Sequence, residues 1–292
     1  MNYRHAFHAG NFADVFKHAV LARILVHLGE KAAPFRVIDT HAGNGRYDLT
    51  SSAAERTGEW RGGIGRLAAA ALADDVRALL APYLVAVSAA NSGQALRYYP
   101  GSPLIALSLM RPQDRLVACE LEPRAAAALA ANLRHDARAR AVAIDGWTAL
   151  NAYVPPKERR GVVIIDPPYE DRDEFKRLGD ALAAAGRKWA GGIYLVWYPI
   201  KDRTGPDRLA SVLRRSATAK TPRKILRAEL EWAPDEAQPG LNGAGLIVVN
   251  PPWRLADELA RMLPALRAAL RPSLASSTSG GRAKVDWLAG LS

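Results

Sequence analysis

Apolar positions along the chain gather in short β-branched runs, separated by longer stretches with helical spacing. The clearest run, Gly161-Val162-Val163-Ile164-Ile165, has no polar face, which predicts a strand covered on both sides in a parallel sheet. Asp166-Pro167-Pro168-Tyr169 must end it, because a proline lacks the ladder N–H and holds the residue before it extended. Further strands are predicted at 34–40, 116–120, 141–146, 192–198, 224–232 and 244–250. Helices are predicted at about 12–28, 123–134, 172–189, 206–217 and 255–270. Asn11 is placed to cap the first helix, whose apolar stripe is Val15, Ala19, Ala22 and Val26. This alternation predicts an α/β fold with a doubly wound, mostly parallel sheet and an antiparallel pair among its last strands.

One stretch breaks the alternation. Residues 48–100, with an Ala/Leu-rich centre at 64–87, predict a small helical insertion within a single domain spanning 1–292. Gly101-Ser102-Pro103 then restarts a helix to Met110 with Ser102 as its cap, and 272–281 reads as a loop.

Chemistry concentrates at the strand ends. Asp39, Glu120, Asp145 and Asp166 each close a predicted strand, and a doubly wound sheet brings such ends to the edge where ligands bind. After Asp39 comes His41-Ala42-Gly43-Asn44-Gly45, a Gly-x-Gly loop that lets backbone approach a ligand closely. A dinucleotide fingerprint would need a third glycine where Asp48 stands, which argues against NAD or FAD. Glu120 is placed to grip the two hydroxyls of a ribose, and Asp145 with Gly146 to meet an adenine ring. Asp166 and the Pro167 carbonyl are fixed acceptors for the hydrogens of an exocyclic amino group, and Tyr169 offers a ring on which an extruded base can stack. Asn250-Pro251-Pro252-Trp253 fits the same wider pattern, but it falls late in the sheet, away from the point where strand order reverses.

Composition narrows the partners. The 292 residues are 49% hydrophobic, which suits one large domain, and the net charge of +11 favours a polyanion such as nucleic acid. Cys119 is the only cysteine, and neither a leader-like apolar segment nor a membrane-length run is seen, so a reducing cytoplasm is expected. Four of the six histidines fall within 5–27, yet no Cys or carboxylate spacing completes a metal site there. Lys17 and His18 are instead candidates for binding a carboxylate. The run Arg214, Arg215, Lys220, Arg223, Lys224 and Arg227 carries no acid and suits phosphate contact.

Taken together, Tyr3-Arg4-His5-x-Phe7-His8-Ala9-Gly10-Asn11, Asp39-Thr40-His41-Ala42-Gly43, Tyr98-Tyr99-Pro100-Gly101-Ser102-Pro103, Asp166-Pro167-Pro168-Tyr169 and Asn250-Pro251-Pro252-Trp253 resemble the bacterial RlmJ family. Those proteins are 23S ribosomal RNA adenine-N6 methyltransferases of the Rossmann-like, S-adenosylmethionine-dependent class I, and the resemblance spans nearly the whole chain. It implies that His18, His41, Ser102, Glu120, Asp145, Gly146 and Asp166 contact the cofactor, with Lys17 near its carboxylate. It further implies that Tyr3, with His5 beside it, positions substrate RNA and that Asp166 is the catalytic acceptor. Action as a monomer, without metal or membrane, is expected.

Three rivals share much of this chemistry. A DNA adenine methyltransferase usually carries a larger domain to read the major groove than the insertion here provides. A protein glutamine methyltransferase uses a similar tetrapeptide but does not need the basic charge or the N-terminal block. A non-catalytic RNA-binding factor would have no use for the complete set of strand-end acids.

Overall fold

The computed structural model describes residues 5–92, 95–171, 173–217, 223–232, 241, 243–270 and 281–290. Helix α1 (Phe12–Gly29) precedes strand β1 (Arg36–Asp39). Then come β2 (Arg46–Asp48), α2 (Ser52–Thr57), a π turn (Arg61–Gly65), α3 (Arg66–Ala69), α4 (Asp74–Ala89) and β3 (Tyr98–Pro100). The chain continues through α5 (Ser102–Leu109), β4 (Arg115–Glu120), α6 (Pro123–Leu133), β5 (Ala139–Ala143), α7 (Gly146–Tyr153), β6 (Gly161–Ile165) and α8 (Glu174–Lys188). It ends with β7 (Ile193–Ile200), α9 (Thr204–Ser216), β8 (Ile225–Glu231), β9 (Gly243–Val249), α10 (Leu255–Ala269) and β10 (Ala283–Ala289).

Eight strands form one sheet in the order β10-β8-β9-β7-β6-β1-β4-β5, while β2 and β3 make a separate antiparallel ribbon. The strands β5, β4, β1, β6 and β7 run parallel, and β9, β8 and β10 add on as antiparallel neighbours. Every residue of β6 and of β9 is buried, as continuous apolar runs require. On one face, α8 and α9 lay down Leu178, Leu182, Leu209 and Leu213 at four-residue spacing. On the other, α1 is buried nearly all round between the sheet, α4, α5 and α10. Such a helix must pair its own polar groups internally. Arg23 meets Glu258 through two bonds of 2.7 and 2.9 Å, and Lys17 meets Asp14 at 3.0 Å.

The fold departs from the sequence expectation in several places. Helix α7 and strand β10 were not foreseen; β10 alternates Lys284 and Asp286 with apolar residues at an edge, a weaker pattern than a buried run. Strand β5 stops at Ala143, so Asp145 lies beyond it and caps α7, accepting from the Thr148 N–H at 2.8 Å. Ser102 lies inside the first turn of α5, with Gly101 at the cap position. The predicted loop at 272–281 falls outside the described residues, apart from Gly281. Among the described residues, no helix is long and apolar enough to cross a membrane.

Candidate active site

Because β6, β1, β4 and β5 are neighbours, the four strand-end acids lie side by side along one carboxyl edge. Chain order reverses between β1 and β6, and there a cavity of about 460 Å³ opens. Its wall includes Lys17, His18, His41, Gly43, Ser102, Glu120, Asp145, Gly146, Asp166 and Pro167. The structure thus gathers most of the expected site residues from six separate segments.

The Gly-x-Gly loop is built around Glu120. Gly43, in the left-handed region at φ +59°, donates its N–H to Glu120 Oε2 at 2.8 Å, and a Cβ at 43 would overlap the Tyr47 hydroxyl. The other carboxylate oxygen accepts from the N–H groups of Leu121 and Glu122, each at 2.9 Å. Glu120 is therefore held rigidly, facing the cavity, in the position expected of a ribose ligand. Gly45 serves the loop differently: it is not among the lining residues, and its carbonyl accepts the Gly101 N–H at 2.8 Å.

Two histidines enter the cavity uncharged. Burial lowers His41 to about 4. Its Nδ1 lies 2.8 Å from Thr40 Oγ1, whose own proton goes to the Ile164 carbonyl at 2.8 Å. The hydroxyl must then accept, so Nδ1 of His41 carries the proton and Nε2 is an acceptor. A Cβ at position 146 would sit 2.5 Å from that Nε2, which is why a glycine stands there. Burial likewise lowers His18 to about 3. Its Nδ1 meets the Tyr99 hydroxyl at 2.7 Å, and its buried Nε2, 4.0 Å from Asp14 Oδ1, has no hydrogen-bond partner among the described residues.

At the deepest point the ammonium of Lys17 joins Asp166 Oδ2 and Asp14 Oδ1. Burial opposes the charge of Lys17, but the two carboxylates outweigh it and raise its pKa. Asp14 is held well below the usual carboxylate range, because His5, Lys17 and His18 together overcome its burial. The carboxylates that Lys17 meets here are the protein's own, and it also lines the cavity in which the cofactor's carboxylate was expected. Asp14, which the sequence reading passed over, also accepts from His5 Nε2 at 2.9 Å and from the Gly10 N–H at 3.0 Å.

Other expectations are corrected too. Asp39 is fully buried beneath the cavity rather than lining it, with Oδ2 unpartnered among the described residues and a bond to the Ser102 side chain. Tyr169 does not line the cavity either. Its φ of +52° turns the ring toward Phe175 and Trp197, with centroids 5.0 and 5.7 Å away. The hydroxyl donates to the Trp197 carbonyl at 2.7 Å, so Tyr169 braces the Pro-Pro turn, and Pro167 and Pro168 present the flat surfaces beside Asp166.

The basic run is elsewhere. Helix α9 leaves the carboxyl end of β7 and returns to the start of β8, which pairs with the end of β9, itself paired with the start of β7. Arg214, Arg215, Arg223 and Lys224 therefore sit toward the opposite, amino edge of the sheet, and Arg227 is bonded to Asp286 at 2.8 Å. Asn250 is at that edge as well, its side-chain N–H groups donating to the carbonyls of Ala190 and Gly192 at 2.7 Å. It does not line the cavity. Tyr3 and Lys220 lie outside the described residues.

The sequence reading also missed the far end of the cavity, where Trp147, Glu174 and Arg177 meet His41. The rings of Trp147 and His41 are 5.6 Å apart, edge to face, and the Arg177 guanidinium lies 5.1 Å from Trp147. Trp147 directly follows Asp145-Gly146, and that adjacency was the available signal. Among the described residues no group of three or more His, Cys, Asp or Glu side chains is arranged to hold a metal ion.

Comparison with known proteins gives a consistent result. The family model described as Ribosomal RNA large subunit methyltransferase D, RlmJ, matches residues 32–289. Ribosomal RNA large subunit methyltransferase J of Escherichia coli is 42% identical over 288 residues, and that of Haemophilus influenzae 40% identical over 290; each match covers 99% of both chains. A crystal structure of a protein from Legionella pneumophila superposes with a TM-score of 0.83 at 33% identity, over 96% of this chain and 98% of that one. The likeness therefore runs end to end rather than through one motif.

Proposed function

The chain belongs to the RlmJ family of ribosomal RNA large subunit methyltransferases, and we propose that it methylates the N6 amino group of an adenine in 23S ribosomal RNA, using S-adenosylmethionine in the cytoplasm. One observation carries this reading: Asp145-Gly146 after β5, the rigidly held Glu120 at the end of β4 and Asp166-Pro167 at the switch point line one cavity.

The residues present fit the methyl donor. Glu120 suits its ribose hydroxyls, and Asp145 with the Gly146 N–H suits its adenine ring. The orphaned Nε2 of His18, carrying its proton when Nδ1 accepts from Tyr99, is a neutral donor for the amino-acid carboxylate. Carboxylates along the wall favour the donor's positive charges. When bound, S-adenosylmethionine supplies an electrophilic methyl group.

The remaining work falls to this chain. A ring-conjugated amino group is a weak nucleophile until fixed acceptors orient its lone pair. Asp166 supplies one acceptor, and the Pro167 carbonyl, which takes no hydrogen bond among the described residues, supplies the other. Since Lys17 already engages Asp166 Oδ2, the carboxylate acts here as an orienting acceptor, and the displaced N6 proton leaves to water. The positive charge of the chain suits a polyanionic substrate.

The test is an acceptor comparison. Protein with labelled S-adenosylmethionine is given protein-free 23S RNA, assembled large subunits or duplex DNA, the RNAs coming from a strain that lacks the enzyme. Labelled N6-methyladenosine in digested RNA is the expected result. Label in DNA alone overturns the polymer, and a bound cofactor with no labelled nucleoside overturns the acceptor.

A further inference from the structure

We propose that Glu59 is a positioning residue that latches the N-terminal arm, residues 5–11, across the mouth of the active-site cavity, and that holding this arm is what the helices between β2 and β3 contribute to RNA methylation. The inference rests on the RNA reading above.

The arm reaches the site at one end and the latch at the other. His5 and Ala6 line the cavity, and His5 Nε2 donates to Asp14, the same carboxylate that holds Lys17. Three residues on, His8 Nδ1 donates to both oxygens of Glu59, at 2.9 and 3.1 Å. Asn11 Nδ2 donates to Glu59 Oε2 at 3.0 Å, while Asn11 Oδ1 caps α1 by accepting the Asp14 N–H at 3.0 Å. One carboxylate thereby gathers two side chains of the arm and ties them to the start of the helix that carries Lys17 and His18.

The backbone below is shaped for the arm. The π turn Arg61–Gly65 is kinked at Gly63, with φ −98° and ψ −107°. A Cβ at 63 would overlap the Gly10 carbonyl and lie 2.7 Å from Asn11 Cα. The next residue, Ile64, donates its N–H to that carbonyl at 2.9 Å. Thr57 donates its hydroxyl to the Phe7 carbonyl, and the Arg56 guanidinium lies 5.0 Å from the Phe7 ring. An irregular turn that makes room for another segment is a frequent mark of a functional site.

Energetics separate placement from stability. The side chains of His8 and Glu59 are 37% and 36% exposed, so their ion pair adds little to the folding free energy. The helices already hold the fold through buried contacts such as Val76, Leu80 and Tyr83 of α4 within the main core. What the polar latch fixes is the position of His5 and Ala6 over the cavity.

Steady-state kinetics and amide exchange on the full chain test this with Glu59→Ala, Gly63→Ala, His8→Ala and Glu59→Gln. Glu59→Ala and Gly63→Ala should raise KM for RNA about tenfold or more, with S-adenosylmethionine affinity within about twofold and faster exchange at the Gly10 and Asn11 amides. Glu59→Gln, which keeps one acceptor oxygen and replaces the other with a donor, should fall between them and the wild type. His8→Ala and Glu59→Ala together should cost less than their sum. An unchanged KM for RNA in Glu59→Ala, or a parallel loss of cofactor affinity, overturns the latch. If the wild-type protein methylates no RNA, the RNA reading fails, and exchange alone decides: unchanged exchange at Gly10 and Asn11 in Glu59→Ala overturns the latch as well.

Discussion

Lys17 binds two carboxylates at once, Asp14 at 3.0 Å and Asp166 at the end of β6, so α1 and β6 share one charge. All three groups are largely withdrawn from water, their side chains being 6%, 2% and 16% exposed. In that setting a broken pair costs far more than the net worth of the pair, because the charge left behind is unsolvated. Lys17→Met should therefore lower stability by about 3–5 kcal/mol, read from urea denaturation. Adding Asp14→Asn removes one of the stranded charges, and the double variant should lose less than the two single variants summed.

Asp39 predicts a pH dependence. Burial pushes its carboxyl from 3.8 up to about 7, against the pull of Ser102 and Lys17. Between those values the folded chain holds a proton that the unfolded chain has released. The stabilising contribution of this group is thus intact below about pH 4 and lost as pH rises through about 7. Asparagine does not titrate. The Tm of Asp39→Asn minus that of the wild type should rise from pH 4 to pH 7 and be flat above it, by scanning calorimetry.

The chain of hydroxyls behind His18 predicts an effect on cofactor affinity. Tyr99 bonds His18 Nδ1 at 2.7 Å and the Tyr83 hydroxyl at 3.1 Å, which orients the imidazole from outside the cavity. Tyr99→Phe should weaken S-adenosylmethionine binding about three- to tenfold by calorimetric titration, with kcat on saturating RNA unchanged. Equal affinity in variant and wild type would contradict the role given to His18.

Asn250 predicts the converse, a structural loss without a catalytic one. Its side chain secures the loop before β7, and its φ of +52° suits asparagine better than alanine. Asn250→Ala should cost about 1–3 kcal/mol while kcat stays at the wild-type value. A variant that is stable yet inactive would return Asn250-Pro251-Pro252-Trp253 to the chemistry.

Much of this site was legible because strand ends declare themselves. The Val/Ile run of β6 reads as an interior strand, and four short apolar segments followed by acids map onto one edge once the sheet is doubly wound. What stayed hidden depends on direction or on distant partners. Tyr169 follows two prolines in a left-handed conformation, and nothing in the tetrapeptide says that its ring turns inward to Trp197. Arg214 and Arg215 looked suited to RNA because a linear sequence does not show that α9 carries them to the far edge. Lys17 was read as a carboxylate binder, but its partners could not be read with it: Asp14 lies one turn away on α1, and Asp166 lies 149 positions away at the end of β6. The Glu59 latch spans 51 and 48 residues to His8 and Asn11, beyond any local pattern.

The central claim is that Asp166 orients the acceptor and that the cofactor is held chiefly by other residues. The most direct measurement compares Asp166→Ala with the wild type in single-turnover methylation of 23S RNA and, on the same preparations, in calorimetric binding of S-adenosylmethionine. The account predicts that the rate falls by about 10²–10³-fold or more, while cofactor affinity changes by less than about fivefold. Methylation within tenfold of the wild type, or loss of cofactor binding in step with loss of rate, would contradict it.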